Sequence, residues 1–447
     1  MTTPLNRRQF LASGVLAAGA VALGGCATPW ATRYPRRLGP NEKLNVGIIG
    51  CGGKGWGDME GVAKAGENIV ALCDVDQIVL DRAAKKFPGA KVYRDYRKML
   101  DEVKDLDAVT VSTPDHHHFP AAMRAIRRGL HTYVQKPLTH SIWEARQLTE
   151  AARRHRVATQ MGNQGTSGNH IRDLCELIWA GTLGQVREVH IWTDRPIWPQ
   201  GKDRPAGADP VPNYLDWEQW LGPAPARPFK NKYADLDKHV YHPFCWRGWW
   251  DFGTGALGDI GCHALNHPMW ALKLGAPDSV ECVETSGMKN NDSFPSWSVV
   301  RWDFPARGDL APLKLFWYDG GKLPPKREEM GNRNYSDNGQ LYVGDKGVFC
   351  AGRLWPEALK NGFKPPAPTL PRIPEENHYR DWLISCRGGR PACSNFDFAG
   401  ALTETVLLGN IALRLGKKLT WDAKHLRVPG CPEADALIRR AYRKGWA

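Results

Sequence analysis

The feature that most constrains the fold of this chain is a glycine-rich segment that directly follows a short apolar run. Residues 44–49 have the length and β-branched character of a strand, and the pattern G-x-G-x-x-G follows at once. Its glycines permit a tight turn, let backbone N–H groups approach a pyrophosphate and let the next helix pack closely on the sheet. The pattern predicts a dinucleotide-binding turn formed by Gly50, Gly52, Gly53, Lys54 and Gly55.

A second apolar run ends in an acidic residue at the distance typical of dinucleotide sites. Residues 68–73 have the character of a strand, and Asp74 follows, 19 residues after Gly55. A carboxylate at this point can accept hydrogen bonds from both hydroxyls of the adenosine ribose, and it repels a 2′-phosphate. Asp74 therefore predicts that the cofactor is NAD rather than NADP.

Predicted helices and strands alternate as far as residue 161, which indicates a doubly wound parallel sheet. The helices are expected near residues 81–86, 96–100 and 121–128, and the strands at 107–111, at 131–134 and from 159. Loops at the carboxyl ends of such strands face the cofactor. The predicted cofactor residues in these loops are Thr113, Pro114, His118, Gln135 and Lys136.

Three consecutive histidines, His116 to His118, raise the alternative of a metal site. Adjacent residues on a strand or turn point in different directions, and no second cluster in the sequence supplies the remaining ligands. No metal site is therefore expected.

A glycine-rich stretch ends in Asp259, and His263 follows four residues later. The spacing predicts that Asp259 begins a helix and that both side chains lie on one face of its first turn. Histidine can accept a hydroxyl proton near neutral pH, Lys136 can stabilise the developing alkoxide, and Asp259 can orient the pair. The alternative is a capping aspartate and a packing histidine. The three are predicted to be the catalytic residues.

These motifs, together with Gly255-Ala256-Leu257-Gly258-Asp259-Ile260-Gly261-Cys262-His263, resemble those of the Gfo/Idh/MocA family, named for glucose–fructose oxidoreductase, inositol dehydrogenase and rhizopine catabolism. The resemblance implies a Rossmann domain followed by an α/β domain with a large, open, mostly antiparallel sheet that often forms a homo-oligomer contact. It also implies that Asn163 lies near the nicotinamide or the substrate, although a simple turn residue is an alternative. The family usually has Glu where this chain has Gln135, which keeps the hydrogen-bonding reach but loses the charge.

The expected organisation is a leader and linker over residues 1–43, an NAD-binding Rossmann domain over 44–160, a substrate-binding sheet domain over 161–400 and a helical return over 401–447. An insertion rich in Pro and Gly runs from about 196 to 227. Most of the 19 tryptophans fall between residues 192 and 317. They fill a core or an interface, or they provide a platform on which a sugar stacks.

The first residues resemble a twin-arginine export signal, with Arg7 and Arg8 before an apolar run over residues 10–23. The residues before Cys26 resemble a lipoprotein cleavage box, although small residues end any signal peptide. The expectation is a periplasmic or envelope protein, with lipidation of Cys26 left open. Because twin-arginine export carries folded proteins and free NAD is scarce in the periplasm, the cofactor is expected to be held tightly and regenerated in the site.

The expected activity is NAD-dependent oxidoreduction at a hydroxyl of a sugar, sugar derivative or polyol. One alternative is redox-neutral glycoside cleavage through a transient keto-sugar, and another is a nucleotide-bound sensor without turnover. The net charge of +13 is spread along the chain, which argues against nucleic acid as a partner. The eleven cysteines form no C-x-x-C pair and are interpreted as small buried hydrophobic residues.

Overall fold

The structure is a computed structural model that describes residues 33–39, 41–288 and 292–446. The predicted export signal at Arg7 and Arg8 and the predicted lipidation at Cys26 lie outside the described residues.

The first half of the described chain forms a six-stranded parallel sheet in the order β3-β2-β1-β4-β5-β6. The strands are β1 (Asn45–Ile49), β2 (Asn68–Cys73), β3 (Lys91–Tyr93), β4 (Ala108–Val111), β5 (His131–Val134) and β6 (Thr159–Met161). The strand order reverses between β1 and β4, and in such sheets ligands bind in the crevice outside the carboxyl ends of the strands at that point. The parallel sheet predicted from the alternation is confirmed.

Helices connect these strands, and side-chain caps fix where several of them begin. They are α1 (Lys54–Lys64), α2 (Gln77–Lys86), α3 (Tyr96–Glu102), α4 (His118–Ile126) and α5 (Ile142–His155). Helix α2 begins four residues before the predicted start, because the Asp76 carboxylate accepts hydrogen bonds from the backbone N–H groups of Ile78 and Val79. Helix α5 begins with a complete capping box formed by Ser141 and Glu144.

The second half forms an eight-stranded sheet in the order β13-β12-β11-β7-β10-β9-β8-β14. Its strands are β7 (Val186–Trp192), β8 (Ser279–Thr285), β9 (Ser298–Phe304), β10 (Leu313–Tyr318), β11 (Gly339–Gly344), β12 (Gly347–Cys350), β13 (Arg353–Trp355) and β14 (Lys418–Thr420). Only the pair formed by β7 and β10 is parallel, so the sheet is mostly antiparallel, as the resemblance implies.

The remaining α-helices are α6 (Asn169–Trp179), α7 (Trp217–Leu221), α8 (Cys262–Ala271), α9 (Glu357–Asn361), α10 (His378–Cys386), α11 (Phe396–Leu415) and α12 (Pro432–Ile438). Helix α11 covers the first part of the segment expected as a helical return and packs against both halves. Trp302 of β9 donates a hydrogen bond to the Thr405 carbonyl at 3.0 Å, and Arg146 of α5 pairs with Glu404 at 2.7 Å. Helix α11 has the length and apolar character of a membrane span, but most of it is buried here as a core helix.

The tryptophans of the predicted insertion and the residues that follow it pack mainly against one another. Trp217 and Trp220 stack with ring centroids 4.6 Å apart, and Trp249 packs with them around Tyr241 and Phe252. These side chains form a small separate core. The ten cysteines of the described residues form no disulfide, and eight of them are buried.

Candidate active site

A cavity of about 680 Å³ runs along the carboxyl ends of the parallel strands, between the two halves of the chain. At one end it meets Asp74 and Val75, and at the other it meets Lys136, Asp259 and His263. The predicted site residues that line this one cavity are Gly50, Gly52, Gly53, Lys54, Asp74, Thr113, Pro114, Gln135, Lys136, Asp259 and His263.

The glycine turn has the geometry that a pyrophosphate site needs. Gly50 has a φ of 87°, in the left-handed region that favours glycine. A Cβ on Gly55 would overlap the carbonyl oxygen of Gly50, so helix α1 packs on the turn only because residue 55 is glycine. A Cβ at Gly53 would meet no atom within 4 Å, so the backbone there faces open space at the start of α1. The residues present therefore fit the phosphates of a dinucleotide.

Asp74 lies at the carboxyl end of β2 and connects this strand to the glycine turn. One of its carboxylate oxygens accepts a hydrogen bond from the Cys51 N–H at 2.7 Å, and the other accepts one from the Asp76 N–H at 3.0 Å. Burial raises the pKa of Asp74, and these two hydrogen bonds oppose that shift. The carboxylate is held in a fixed orientation at the end of the cavity where the adenosine ribose is expected.

A buried carboxylate that sequence reasoning missed organises the middle of the cleft. Asp58 is completely buried in helix α1 and forms an ion pair with Lys54. It also accepts hydrogen bonds from Ser112 at 2.8 Å, Gln135 at 2.7 Å and Tyr379 at 2.9 Å. The sign of this role that the sequence offered was the presence of an acidic residue, Asp58, on the inward-facing side of helix α1. The amide of Gln135 donates to this carboxylate, and a glutamate at the same position would place a second carboxylate against it.

Lys136 and Asp259 form an ion pair at the other end of the cavity. The Lys136 Nζ lies 2.5 Å from the Asp259 Oδ1 and 2.8 Å from the backbone carbonyl oxygen of Asp259. The Nε of Arg247 donates to the same Oδ1 at 3.0 Å. Burial alone would raise the pKa of Asp259, but the charges of Lys136 and Arg247 outweigh it and hold this pKa well below its usual range. Asp259 is therefore a carboxylate shared by two cations, of which the sequence predicted only Lys136.

The prediction that Asp259 begins a helix is wrong. The helical segment begins at Gly255 and contains a π-helical turn over Leu257–Gly261, after which α8 begins at Cys262. A π-helical turn does not use the usual hydrogen bond from a residue to the carbonyl four positions before it. Within this segment Lys136 binds both the backbone carbonyl oxygen and the side chain of Asp259.

His263 is oriented by a buried amide. The Nδ2 of Asn163 donates to the Cys262 carbonyl oxygen at 2.9 Å, and the Oδ1 of Asn163 lies 2.8 Å from the Nδ1 of His263. Because the amide nitrogen faces a carbonyl, the amide oxygen must accept, so the proton of a neutral His263 resides on Nδ1 and its Nε2 carries the lone pair. Burial, assisted by the charge of Lys136, lowers the pKa of His263 to about 3, which keeps the ring neutral at pH 7.

Three predicted cofactor residues, Gly55, His118 and Asn163, lie behind the cavity wall rather than on it. Asn163 is fully buried and contacts His263, so its effect on the cleft is indirect. His118 is also buried, and its ring nitrogens lie 2.7 Å from the Pro137 carbonyl oxygen and 2.9 Å from that of Thr113. This ring ties together the two loops that sequence reasoning assigned to the cofactor.

The other two histidines of the triplet contact a backbone carbonyl. The Nε2 atoms of His116 and His117 lie 2.9 Å and 3.0 Å from the carbonyl oxygen of Trp220, and His117 also lines the cavity. Within the described ranges, no group of three or more His, Cys, Asp or Glu side chains is arranged to hold a metal ion.

Asp115, in the loop between these residues and Pro114, was not assigned a role from the sequence. It lines the cavity and accepts a hydrogen bond from Thr254 at 2.6 Å. Burial raises the pKa of Asp115 to about 7, while Thr254 and the charge of Arg247 oppose the shift. Asp115 therefore exchanges a proton near neutral pH, whereas His263 does not.

Residues 214–246, here called the strap, cover the adenosine end of the cavity. The Gln77 N–H donates to the Tyr214 carbonyl at 2.8 Å, and the Asp216 N–H donates to the Val75 carbonyl at 3.0 Å. His242 lies 2.9 Å from the Asp76 carboxylate. The strap thus joins the loop that follows Asp74 through both backbone and side-chain contacts, and sequence reasoning had identified only an insertion at its start.

The chain resembles known proteins in both sequence and fold. It is 30% identical over 205 residues to glycosyl hydrolase family 109 protein 1 of Shewanella sp. (strain ANA-3), a match that covers 41% of this chain and 44% of that protein. The chain therefore matches less than half of the length of this relative.

Two solved structures share the fold. The WlbA dehydrogenase from Bordetella pertussis, in complex with NADH and UDP-GlcNAcA, is 16% identical with a TM-score of 0.60, covering 85% of this chain and 99% of that one. The aldose-aldose oxidoreductase from Caulobacter crescentus, complexed with glycerol, is 16% identical with a TM-score of 0.53, covering 85% and 100%.

Family models match both halves of the chain. Residues 44–163 match the NAD-binding Rossmann fold of the Gfo/Idh/MocA oxidoreductase family, and residues 169–307 match the C-terminal alpha/beta domain of the same family. The matched segments amount to more than half of the chain and contain the glycine turn, Lys136, Asp259 and His263. The protein belongs to the Gfo/Idh/MocA family of NAD-dependent oxidoreductases.

Proposed function

We propose that this protein is an NAD-dependent oxidoreductase that acts on a hydroxyl of a sugar, sugar derivative or polyol. One observation carries the proposal: a neutral histidine, His263, with its proton fixed on Nδ1, lines the same cavity as Lys136, Asp259 and the glycine turn. A substrate hydroxyl bound next to the Nε2 lone pair of His263 lies close to both a base and the ammonium group of Lys136.

The residues that would hold NAD are the glycine turn for the pyrophosphate and Asp74 for the adenosine ribose. Gln135 and Lys136 line the same cavity as Asp74 and His263. When bound, the nicotinamide supplies the acceptor for the hydride that leaves the substrate carbon.

Side chains of the protein accept the hydroxyl proton and stabilise the negative charge that develops on the substrate oxygen. His263 accepts the hydroxyl proton at Nε2, because Asn163 occupies Nδ1. Lys136 stabilises the oxygen that loses this proton through its positive charge, and Asp259 keeps the ammonium group in place. The carbon thus loses a hydride, the oxygen loses a proton, and a carbonyl forms.

The retained cofactor is part of the proposal. The strap covers the end of the cavity at which adenosine is expected, and its contacts with residues 75–77 would have to break before that end could open widely. Such a cover supports slow release of NAD. We propose that the chain is exported through the signal at Arg7 and Arg8 with NAD already bound, and that the cofactor is regenerated in the site by a second substrate.

A second candidate is redox-neutral glycoside cleavage, and it is favoured by the 30% identity to a glycosyl hydrolase family 109 protein over 205 residues. In that reaction a sugar hydroxyl is oxidised, the glycosidic oxygen leaves by elimination, water adds, and the hydride returns to the sugar. Both candidates need the same base, so His263 does not distinguish them.

The experiment uses the purified protein without added NAD. Wild type, His263→Ala and the exposed control His425→Ala are denatured to quantify bound NAD, and are then assayed against a panel of sugars and polyols by absorbance of the reduced cofactor. We expect equal NAD in all three and a loss of cofactor reduction of at least 100-fold in His263→Ala only. Unchanged reduction in His263→Ala would refute the proposed base. Binding of sugars without any reduction would favour the sensor.

The glycoside alternative is tested on the same preparations with aryl glycosides. Release of the aryl alcohol without accumulation of reduced cofactor supports cleavage. Reduced cofactor that accumulates until a second sugar is added supports oxidoreduction with recycling.

A further inference from the structure

A second cavity, of about 290 Å³, lies on the far side of Thr254 from the cleft. It is formed where the start of α5, the middle of α11 and the segment after α12 meet residues 250–254. Its volume is near the lower end of the range for small-molecule sites, about 300 Å³. The proposed function assigns no role to this cavity.

One wall presents a buried acceptor that has no donor. Asn410 is 94% buried, and its Nδ2 donates to the Thr254 carbonyl at 2.8 Å. This bond fixes the amide, so that its Oδ1 is the free atom, and Oδ1 has no hydrogen-bond partner. A buried acceptor without a donor is rare in folded proteins and indicates a bound group that donates. The Nε2 of His140, also on the wall, is likewise buried and without a partner.

The same helix, α11, presents a guanidinium group one turn after Asn410, with no counter-ion in contact. Arg414 lies 5.2 Å from the ring of Trp250 and makes no hydrogen bond within the described residues. The other charges on the wall are already compensated, because Asp251 pairs with Arg227 and Arg440 pairs with Glu144 at 2.7 Å. The cavity therefore has a guanidinium group without a hydrogen-bonded counter-ion, acted on by the charge of Asp251, next to an aromatic wall and an apolar floor of Leu407 and Ile411.

From this arrangement we infer that the cavity is a binding site for a small hydroxylated carboxylate, the class to which sugar acids belong. A hydroxyl of the ligand donates to the Oδ1 of Asn410, and its carboxylate accepts from Arg414. A neutral polyol satisfies only Asn410, and a simple carboxylate without hydroxyls satisfies only Arg414. The site needs both groups in one molecule.

The test is calorimetric titration of the purified holoprotein with D-gluconate, with D-glucitol and acetate as comparison ligands. We expect gluconate to bind and the other two to bind at least tenfold more weakly. Arg414→Met should weaken gluconate binding by roughly 10- to 100-fold, as expected for loss of one charge-assisted hydrogen bond. The control Arg187→Met, an exposed arginine of β7, should bind gluconate as wild type does.

A second variant distinguishes a loss of gluconate binding from a loss of folding. Asn410→Asp keeps the shape of the side chain but loses the donor to the Thr254 carbonyl and puts a carboxylate against the ligand and beside Arg414, so it should abolish gluconate binding; an NAD content at the wild-type level shows that the variant is folded. Gluconate that binds equally to wild type, Arg414→Met and Asn410→Asp would place it elsewhere and overturn the inference. Failure of wild type to bind gluconate at millimolar concentration would overturn it as well. Neither result depends on turnover at His263.

Discussion

The side-chain amide of Asn163 connects the Cys262 carbonyl to the Nδ1 of His263, and it thereby decides which nitrogen of the histidine carries the proton. This relationship makes Asn163 a positioning residue. Asn163→Asp should remove the donor to Cys262 and place a negative charge at Nδ1, which raises the pKa of His263. We expect the acid limb of the pH dependence of kcat to move to higher pH by at least one unit.

Asn163→Leu is the matched variant for this prediction, because it keeps the volume without any hydrogen bond. It should lower kcat by roughly 10- to 100-fold with little change in KM and no shift of the acid limb. An Asn163→Asp enzyme with the wild-type pH profile would show that the amide does not control the protonation of His263.

Lys136 should contribute mainly to the rate of the chemical step. Its Nζ lies 2.5 Å from the Asp259 Oδ1, and Lys136→Met removes the cation while leaving the carboxylate paired with Arg247. We expect kcat to fall by roughly 10²- to 10⁴-fold while bound NAD, measured after denaturation, stays within a factor of two. Lys273→Met, an exposed control, should keep full activity. A Lys136→Met protein that is active but lacks NAD would assign the lysine to cofactor binding alone.

The contact between Gln135 and Asp58 predicts a charge conflict. Gln135→Glu places a second buried carboxyl group where an amide now donates at 2.7 Å, and we expect it to lower the free energy of unfolding by about 3 kcal/mol at pH 7.5. Burial and Asp58 raise the pKa of the new carboxyl group in the folded state. Its protonated form is therefore tolerated at low pH, and stability is lost as the pH rises through the raised pKa.

Urea unfolding at pH 5 and pH 7.5 measures this effect, which should be larger at pH 7.5. The double variant Asp58→Asn with Gln135→Glu restores a donor opposite a single carboxylate and should recover at least half of the loss. Equal destabilisation at both pH values, with no recovery in the double variant, would indicate steric strain instead of charge.

Cofactor retention should depend on the strap. His242→Ala removes the contact of 2.9 Å with Asp76, and we expect NAD to be lost on dialysis several times faster than from wild type. His239→Ala is the matched control, because His239 lies on the same strap and its ring contacts Asn231 rather than Asp76. Asp74→Ala should reduce bound NAD further and relax the rejection of NADP. Equal NAD loss from wild type and His242→Ala would show that this contact does not retain the cofactor.

Acid should destabilise the fold through histidines that are buried in the neutral form. Burial lowers the pKa of His118 to about 4, against 6.5 in the unfolded chain. Below pH 6.5 the unfolded chain takes up a proton that the folded chain does not, so this stabilisation is present above pH 6.5 and is lost as the pH falls toward 4.

The loss amounts to roughly 1.4 kcal/mol per pH unit for each such histidine. Chemical unfolding at pH 7, 6 and 5 should show this decrease in the free energy of unfolding with falling pH. His118→Gln should make the decrease smaller by the contribution of one proton. An identical slope in His118→Gln would mean that other groups account for the acid sensitivity.

Much of the fold could be predicted from the sequence because the signals are local. Strands β2 and β5 were predicted with the bounds that the structure has, since each is a short run of strand-forming residues between turn residues. Helix starts were less accurate, because caps such as Asp76 act from just outside the apolar pattern.

The parts of the site that could not be predicted depend on contacts that are distant in the chain. Asp58 meets Gln135 and Tyr379 across 77 and 321 residues, and the period of helix α1 does not reveal either partner. The π-helical turn at Asp259 could not be foreseen for the same reason, since the bond to Lys136 that accompanies it comes from 123 residues away.

The backbone bonds between the strap and residues 75–77 have a kinetic consequence. A cleft covered by a hinged loop opens with little loss of structure, whereas we expect this one to open at the adenosine end only when the main-chain hydrogen bonds between the strap and residues 75–77 break together. Release of NAD is then a local unfolding event. The dissociation rate should rise several-fold for each 10 °C of warming, with the large activation enthalpy characteristic of unfolding. The temperature at which the protein loses its cofactor would then be set by how firmly the strap is attached, independently of the affinity of the glycine turn.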